Sequence, residues 1–142
     1  MTTRKVPELP EPSFAPDELV ALREYWAFYE ANAEAIQLDV LHACEQMPEW
    51  APLLKSMKPE QIEAQNRRSL EIQRSAILDN RWQPYLADLH AQGSQYAKGG
   101  VKFASWFQII AAFRSATRHR LLELARADLK RATIVGDGMN VL

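Results

Sequence analysis

The chain reads as an all-α protein of six to eight helices joined by short connections. Three observations predict this. Apolar residues recur at three- and four-residue spacing along most of its 142 residues. No segment alternates apolar and polar residues with period two over a useful length, so no strand is expected. The stretch Tyr96–Phe107 stops one helix on Gly99-Gly100 and launches a strongly apolar one a few residues later, which is a helix–corner–helix junction.

The elements follow in order. Pro7, Pro10, Pro12 and Pro16 forbid a helix over residues 1–16 and favour an extended arm. Asp17 and Glu18 supply acids for a helix start. Leu19, Leu22, Trp26 and Tyr29 then give an amphipathic helix over residues 17–32. Ile36, Val40, Cys44 and Met47 extend the stripe through a second helix, with Asn32 as the expected joint. Pro48 ends it, and Pro52 opens a short apolar turn through Leu53, Leu54 and Met57. Pro59 sits at the first position of the next helix, residues 59–79. Its apolar points are Ile62, Leu70, Ile77 and Leu78, and Asn66, Ser69 and Gln73 share nearly the same stripe. Such a polar stripe is either a cavity lining or a partly solvated face.

Asp79-Asn80 breaks the pattern. Trp82, Tyr85, Leu86, Leu89, Gly93 and Tyr96 or Ala97 mark the following helix, with Pro84 tolerated in its first turn. Beyond the glycine pair, Phe103, Trp106, Phe107, Ile110 and Phe113 drive a helix to about Ala125. Trp82, Phe103, Trp106 and Phe113 read as core aromatics. Asp128 starts a last helix with Leu129, Ala132 and Val135, which Gly136 and Gly138 weaken. That helix stops abruptly, as if a longer helix or a further domain followed. The expected organisation is an arm over 1–16 and one domain over 17–142.

Composition bounds the function. Hydrophobic residues make up 47% and charged residues 25%, which is the balance of a water-facing globular domain. No apolar run approaches the ~20 residues that span a bilayer, and the N-terminus lacks a signal-peptide core. No membrane partner is expected. The single cysteine, Cys44, excludes an internal disulfide, fits a cytoplasmic location and reads as a small core hydrophobe. Net charge is −1, but residues 1–51 hold 3 basic and 10 acidic groups and residues 52–142 hold 14 and 8. The plain reading is attraction between two ends of one domain. A nucleic-acid face would have to use Arg114, Arg118, Arg120, Arg126, Lys130 and Arg131, and no recognition-helix signature accompanies them, so no nucleic-acid partner is expected.

Catalytic and metal chemistry has no positive support. There is no phosphate loop, dinucleotide glycine pattern or EF-hand loop. His42, His90 and His119 have no histidine or cysteine at i+3 or i+4, so no local metal site is expected. No serine sits on a strand–turn–helix elbow. The chain is expected not to be an enzyme.

The string Trp82-x-x-Tyr85-x-x-x-Leu89-x-x-Gln92-Gly93-x-x-Tyr96-Ala97-x-x-Gly100-Val101-x-Phe103-x-x-Trp106-Phe107 resembles bacterial sensor-globin domains. It is similar to the non-haem globin domains that precede signalling modules in stressosome sensors. Asp128-Leu-x-Arg131 and Gly138-Met139-Asn140 resemble the start of their final helix. About a third of the chain carries the resemblance, and the rest fits by helix order. In haem globins the iron-binding histidine lies four residues before the corner glycine, and here that position is Tyr96. A phenol must ionise from a pKa near 10 to match an imidazole as a ligand. His90 lies six residues earlier, nearly two turns away.

The resemblance implies a globin-like regulatory sensor with no cofactor, whose haem-gas-sensor alternative would use Tyr96 or His90 as axial ligand. It implies a pocket bordered by Leu70, Gln73, Tyr96, Phe103 and Trp106. Tyr96 stays open between a ligand contact and a core aromatic. The implied occupant is a small apolar or amphipathic molecule such as a fatty acid, its carboxylate near Arg67, Arg68 or Arg74. The implied partners are a second copy, joined through residues 102–125 and 128–142 with Phe113, Leu121, Leu124 and Leu129 at the seam, and a downstream signalling domain or protein.

Overall fold

The computed structural model describes Glu8 and residues 10–142. Six helices make up the fold: α1 (Pro16–Glu45), α2 (Trp50–Ser56), α3 (Pro59–Asp79), α4 (Trp82–Lys98), α5 (Phe103–Ala127) and α6 (Leu129–Val141). No strand occurs among the described residues. Half of the arm expected over 1–16 lies outside them. Residues 10–15 are irregular, and Phe14 packs on Trp82 with ring centroids 5.4 Å apart.

α1 is the spine. Its 30 residues extend about 45 Å at 1.5 Å per residue. Leu22, Trp26, Tyr29, Ala33, Ile36, Val40 and Cys44 are all buried along one stripe. The joint expected at Asn32 is absent. The helix runs straight through because that stripe keeps its phase on both sides, and the Asn32 amide donates to the Phe28 carbonyl at 2.9 Å within the same helix. Pro16 sits in the first turn, and Glu18 accepts from the Ala15 N–H at 3.0 Å.

α5 and α6 pack against α1 and each other, while α3 and α4 form a hairpin that meets α1 through α3. The α1–α6 contact is close because Gly138 is there. A Cβ built on it would overlap the Ala21 carbonyl oxygen and come within 2.7 Å of Tyr25 Cβ. Helix α6 runs unbroken past both glycines expected to weaken it. Asp128 caps it, its carboxylate accepting from the Arg131 N–H at 3.0 Å.

The uneven charge is used inside the chain. Ion pairs Arg74–Glu30, Arg120–Asp39, Arg131–Glu24 and Lys102–Glu49 each join a base from the second half to an acid from the first. Each is at least partly open to solvent and contributes roughly 0–1 kcal/mol, so the pattern selects the arrangement more than it stabilises it.

Candidate functional site

The corner between α4 and α5 positions the site. Asn80, at φ 56, turns the chain out of α3 in the left-handed region, and its side-chain oxygen accepts from Trp82 Nε1 at 3.0 Å. At the end of α4, Gly100 has φ 80. The Val101 N–H donates to the Tyr96 carbonyl at 3.0 Å and the Gly100 N–H to the Ala97 carbonyl at 3.1 Å. That pair of bonds is a Schellman cap, which needs the left-handed residue that glycine supplies. Tyr96 therefore anchors the corner through its backbone.

Helix α2 holds the corner from outside. The segment expected as a turn from Pro52 is a helix beginning at Trp50, with Pro52 in its first turn, where no amide donor is needed. Trp50 meets the Tyr96 ring edge-on at 5.0 Å and donates from Nε1 to the Ser105 carbonyl at 3.0 Å. Glu49 accepts from the Lys102 N–H at 3.3 Å. Hydrogen bonds from Ser105 and Lys102 hold its carboxyl below the usual range.

Behind this corner lies a cavity of about 910 Å³ bordered by residues of all six helices. Its size falls in the range of small-molecule sites. Its apolar lining includes Val40, Leu53, Ile62, Trp106 and Ile109. The polar stripe of α3, Asn66, Ser69 and Gln73, borders the cavity, which favours the lining over the solvated face. Asp88 and Arg114 are its two charged residues. A second cleft of about 950 Å³ opens between α1 and α3. It shares Gln37, Leu41, Leu54, Met57, Ile62 and Asn66 with the central cavity.

The expected pocket residues divide. Tyr96, Gln73 and Trp106 border the central cavity, whereas Leu70 borders the second cleft. Phe103, expected in both core and pocket, is 73% exposed and borders neither. It is the first residue of α5 and stacks edge-on with Phe107 at 4.8 Å on the outside of the corner. His90 is exposed and borders neither space. Of the expected seam residues, Phe113 turns inward to the cavity, and Leu121 packs toward Gly136 of α6. Leu124 is half-buried, and only Leu129 is exposed. The three arginines expected at the mouth all face carboxylates: Arg67 pairs with Glu63, Arg68 with Asp88 and Arg74 with Glu30.

Tyr25, Tyr29, Tyr85 and Arg114 are cavity residues that sequence reasoning missed. Tyr25 and Tyr29 fall four apart on the α1 stripe, which is also the spacing of plain core aromatics. Their rings are 5.8 Å apart. Burial is the main cause that raises all three phenols. Tyr29 moves from 10.0 to about 12, with a further push from Tyr85. Tyr25 is raised by burial, then by Tyr29 and Tyr85, and is opposed by Arg114. Tyr85 is raised by burial and then by Asp88. Tyr96 is raised by burial even though Gln65 hydrogen-bonds to it.

These shifts carry a sign. The folded protein keeps phenolic protons that the unfolded chain releases above pH ~10. Their contribution is complete below that pH and is lost as pH climbs through the folded value near 12. The urea midpoint should hold steady from about pH 8 to about 9.5 and then fall toward pH ~11. A midpoint that stays level to pH ~11 would show these phenols to be unburied.

None of the three histidines borders the cavity, so it offers a haem iron no imidazole. Burial disfavours the phenolate of Tyr96 and the thiolate of Cys44, the forms that would bind iron. Met57 and Met139 border it, but a thioether serves haem iron beside a histidine. Among the described residues no cluster of three His, Cys, Asp or Glu side chains could hold a metal ion. No described helix is long and apolar enough to cross a membrane.

No protein-family model, no curated protein and no solved structure matches this chain.

Proposed function

We propose that the protein is a non-haem regulatory module that binds a small amphipathic molecule in its central cavity and relays occupancy to a partner or downstream domain. One observation carries the reading: a cavity of about 910 Å³ reaches all six helices. An occupant there would touch every element that could move. A ligand changes a conformational balance only by binding one arrangement better than another, and a cavity shared by six helices gives it contacts that differ between arrangements. The globin-like arrangement belongs to the same proposal, supported by Tyr96 at the corner and by the cavity behind it. So does a homodimer. Its seam would draw on Leu122 and Leu129, which are 59% and 70% exposed, and less on the inward residues of α5.

The test is a fluorescence titration with 1-aminoanthracene, a neutral apolar probe, alongside native mass spectrometry of the purified protein. Saturable binding at one site per chain supports the proposal. A flat titration, with no small molecule retained in the mass spectrum, contradicts it.

A further inference from the structure

The cleft between α1 and α3 presents an apolar floor to solvent. Toward its C-terminal end α3 buries Ala76 and Ile77, but nearer its start Ile62 and Leu70 are only half-buried. Across from them on α1, Leu41 is half-buried and Leu38 is 51% exposed. Leu54 of α2 and Met57 just beyond it complete the floor. Apolar side chains left part-way in water are stabilised by any apolar surface that covers them. The cleft has the shape of a groove. Glu34, Leu38, Leu41 and Glu45 line its α1 side at steps of four, three and four residues, which is one helix face. Those eleven residues make about three turns and roughly 16 Å of wall.

The two walls differ in charge. On α3, Arg67 and Glu63 neutralise each other at 3.3 Å. On α1, Glu34 and Glu45 are exposed, and no described base pairs with either. Lys55, on α2, is the remaining charge that borders the cleft. The α1 wall is therefore apolar in the middle and acidic at both ends. A helix laid in a groove buries a stripe of residues at three- and four-residue spacing and turns its flanks to the rims. Opposite charges along those flanks set register and partner choice more than raw affinity. We infer that this cleft docks an amphipathic helix of another protein. Its inner face is apolar, and two basic residues about eleven positions apart meet Glu34 and Glu45. A second copy of this chain fits poorly, because none of its six helices carries two Lys or Arg residues eleven apart. The inference goes beyond the ligand-site reading and needs nothing bound in the central cavity.

The experiment measures fluorescence anisotropy of two labelled peptides of about 16 residues, each held helical by a side-chain staple because so short a helix is marginal in water. Both carry leucines along the inner face. One has arginines at the two flank positions eleven apart, and its twin has glutamates there. At low salt the arginine peptide should bind about tenfold or more tighter than its twin, and the gap should narrow as salt rises. The double variant Glu34→Lys, Glu45→Lys should bring the two peptides within about twofold or invert their order. Both substitutions fall on exposed residues, so the melting temperature should hold. Leu38→Ser should weaken both peptides by about threefold or more. Equal binding of the two peptides, a preference that survives the double reversal, or binding of neither would overturn the inference. Self-association that Leu38→Ser abolishes, read by sedimentation, would give the cleft to a second copy and overturn it as well.

Discussion

Gly138→Ala should destabilise the fold by about 2 kcal/mol, although replacing a mid-helix glycine with alanine normally gains about 1 kcal/mol. The new methyl would overlap the Ala21 carbonyl and come within 2.6 Å of its carbon and 2.7 Å of Tyr25 Cβ. These are backbone and near-backbone atoms with no rotamer to escape into. Relief requires α6 to move off α1, and overpacking of that kind costs typically ~1–3 kcal/mol and sometimes more. The steric term therefore exceeds the propensity gain. Gly138→Val should lose about 3 kcal/mol or more. Gly136→Ala is the control. Its Cβ would meet Leu121 Cδ2 at 3.7 Å, an ordinary contact, so the propensity gain should stand. Thermal melts of the three variants decide it, at roughly 4 °C per kcal/mol for this chain length. A Gly138→Ala protein as stable as its Gly136→Ala sibling would mean that α1 and α6 are not this close.

The second large effect lies at Trp26. It is 1% exposed, stacks near Tyr29 at 5.8 Å and is among the largest fully buried side chains. Trp26→Ala should cost about 3–5 kcal/mol from lost transfer energy and the hole left behind. Its indole N–H is sealed without a partner, a defect worth about 1–3 kcal/mol. Trp26→Phe removes that donor while keeping most of the ring, so the two terms oppose and the net change should stay within about 1 kcal/mol. Urea denaturation of both variants tests the contrast. A Trp26→Phe loss as large as that of Trp26→Ala would show that the N–H is in fact satisfied.

What could be read in advance divides along physical lines. Helix starts were legible at Asp17, one residue inside the observed start, and at Pro59 and Asp128, because each needs a local residue type at a fixed position. The corner at Gly99-Gly100 was legible because a left-handed cap all but requires glycine. The error at Asn32 came from reading a residue preference as a boundary when the apolar phase on either side was continuous. Phe103 misled because an apolar residue at a helix start carries no sign of which way the helix faces. Gly138 could be read as weakness but not as contact, since close approach depends on a partner helix more than a hundred residues away. The polar stripe of α3 was visible, and only the neighbouring helices decide that it borders a cavity. The tyrosine group could not be found in sequence, because Tyr85 comes near Tyr25 and Tyr29 only after α4 folds back on α3, which packs on α1.

The central claim is that the space between the six helices holds a ligand. Ile109, half-buried on α5, borders that space. Ile109→Trp fills part of it and leaves the tyrosines and Arg114 unsubstituted. The deciding measurement is 1-aminoanthracene affinity in this variant beside the unmodified protein, with melting temperature followed in parallel. Binding should weaken by about tenfold or more while the melting temperature holds or rises, since the new ring occupies the volume the probe needs. Equal affinity in the two proteins would contradict the account and move any ligand to another surface.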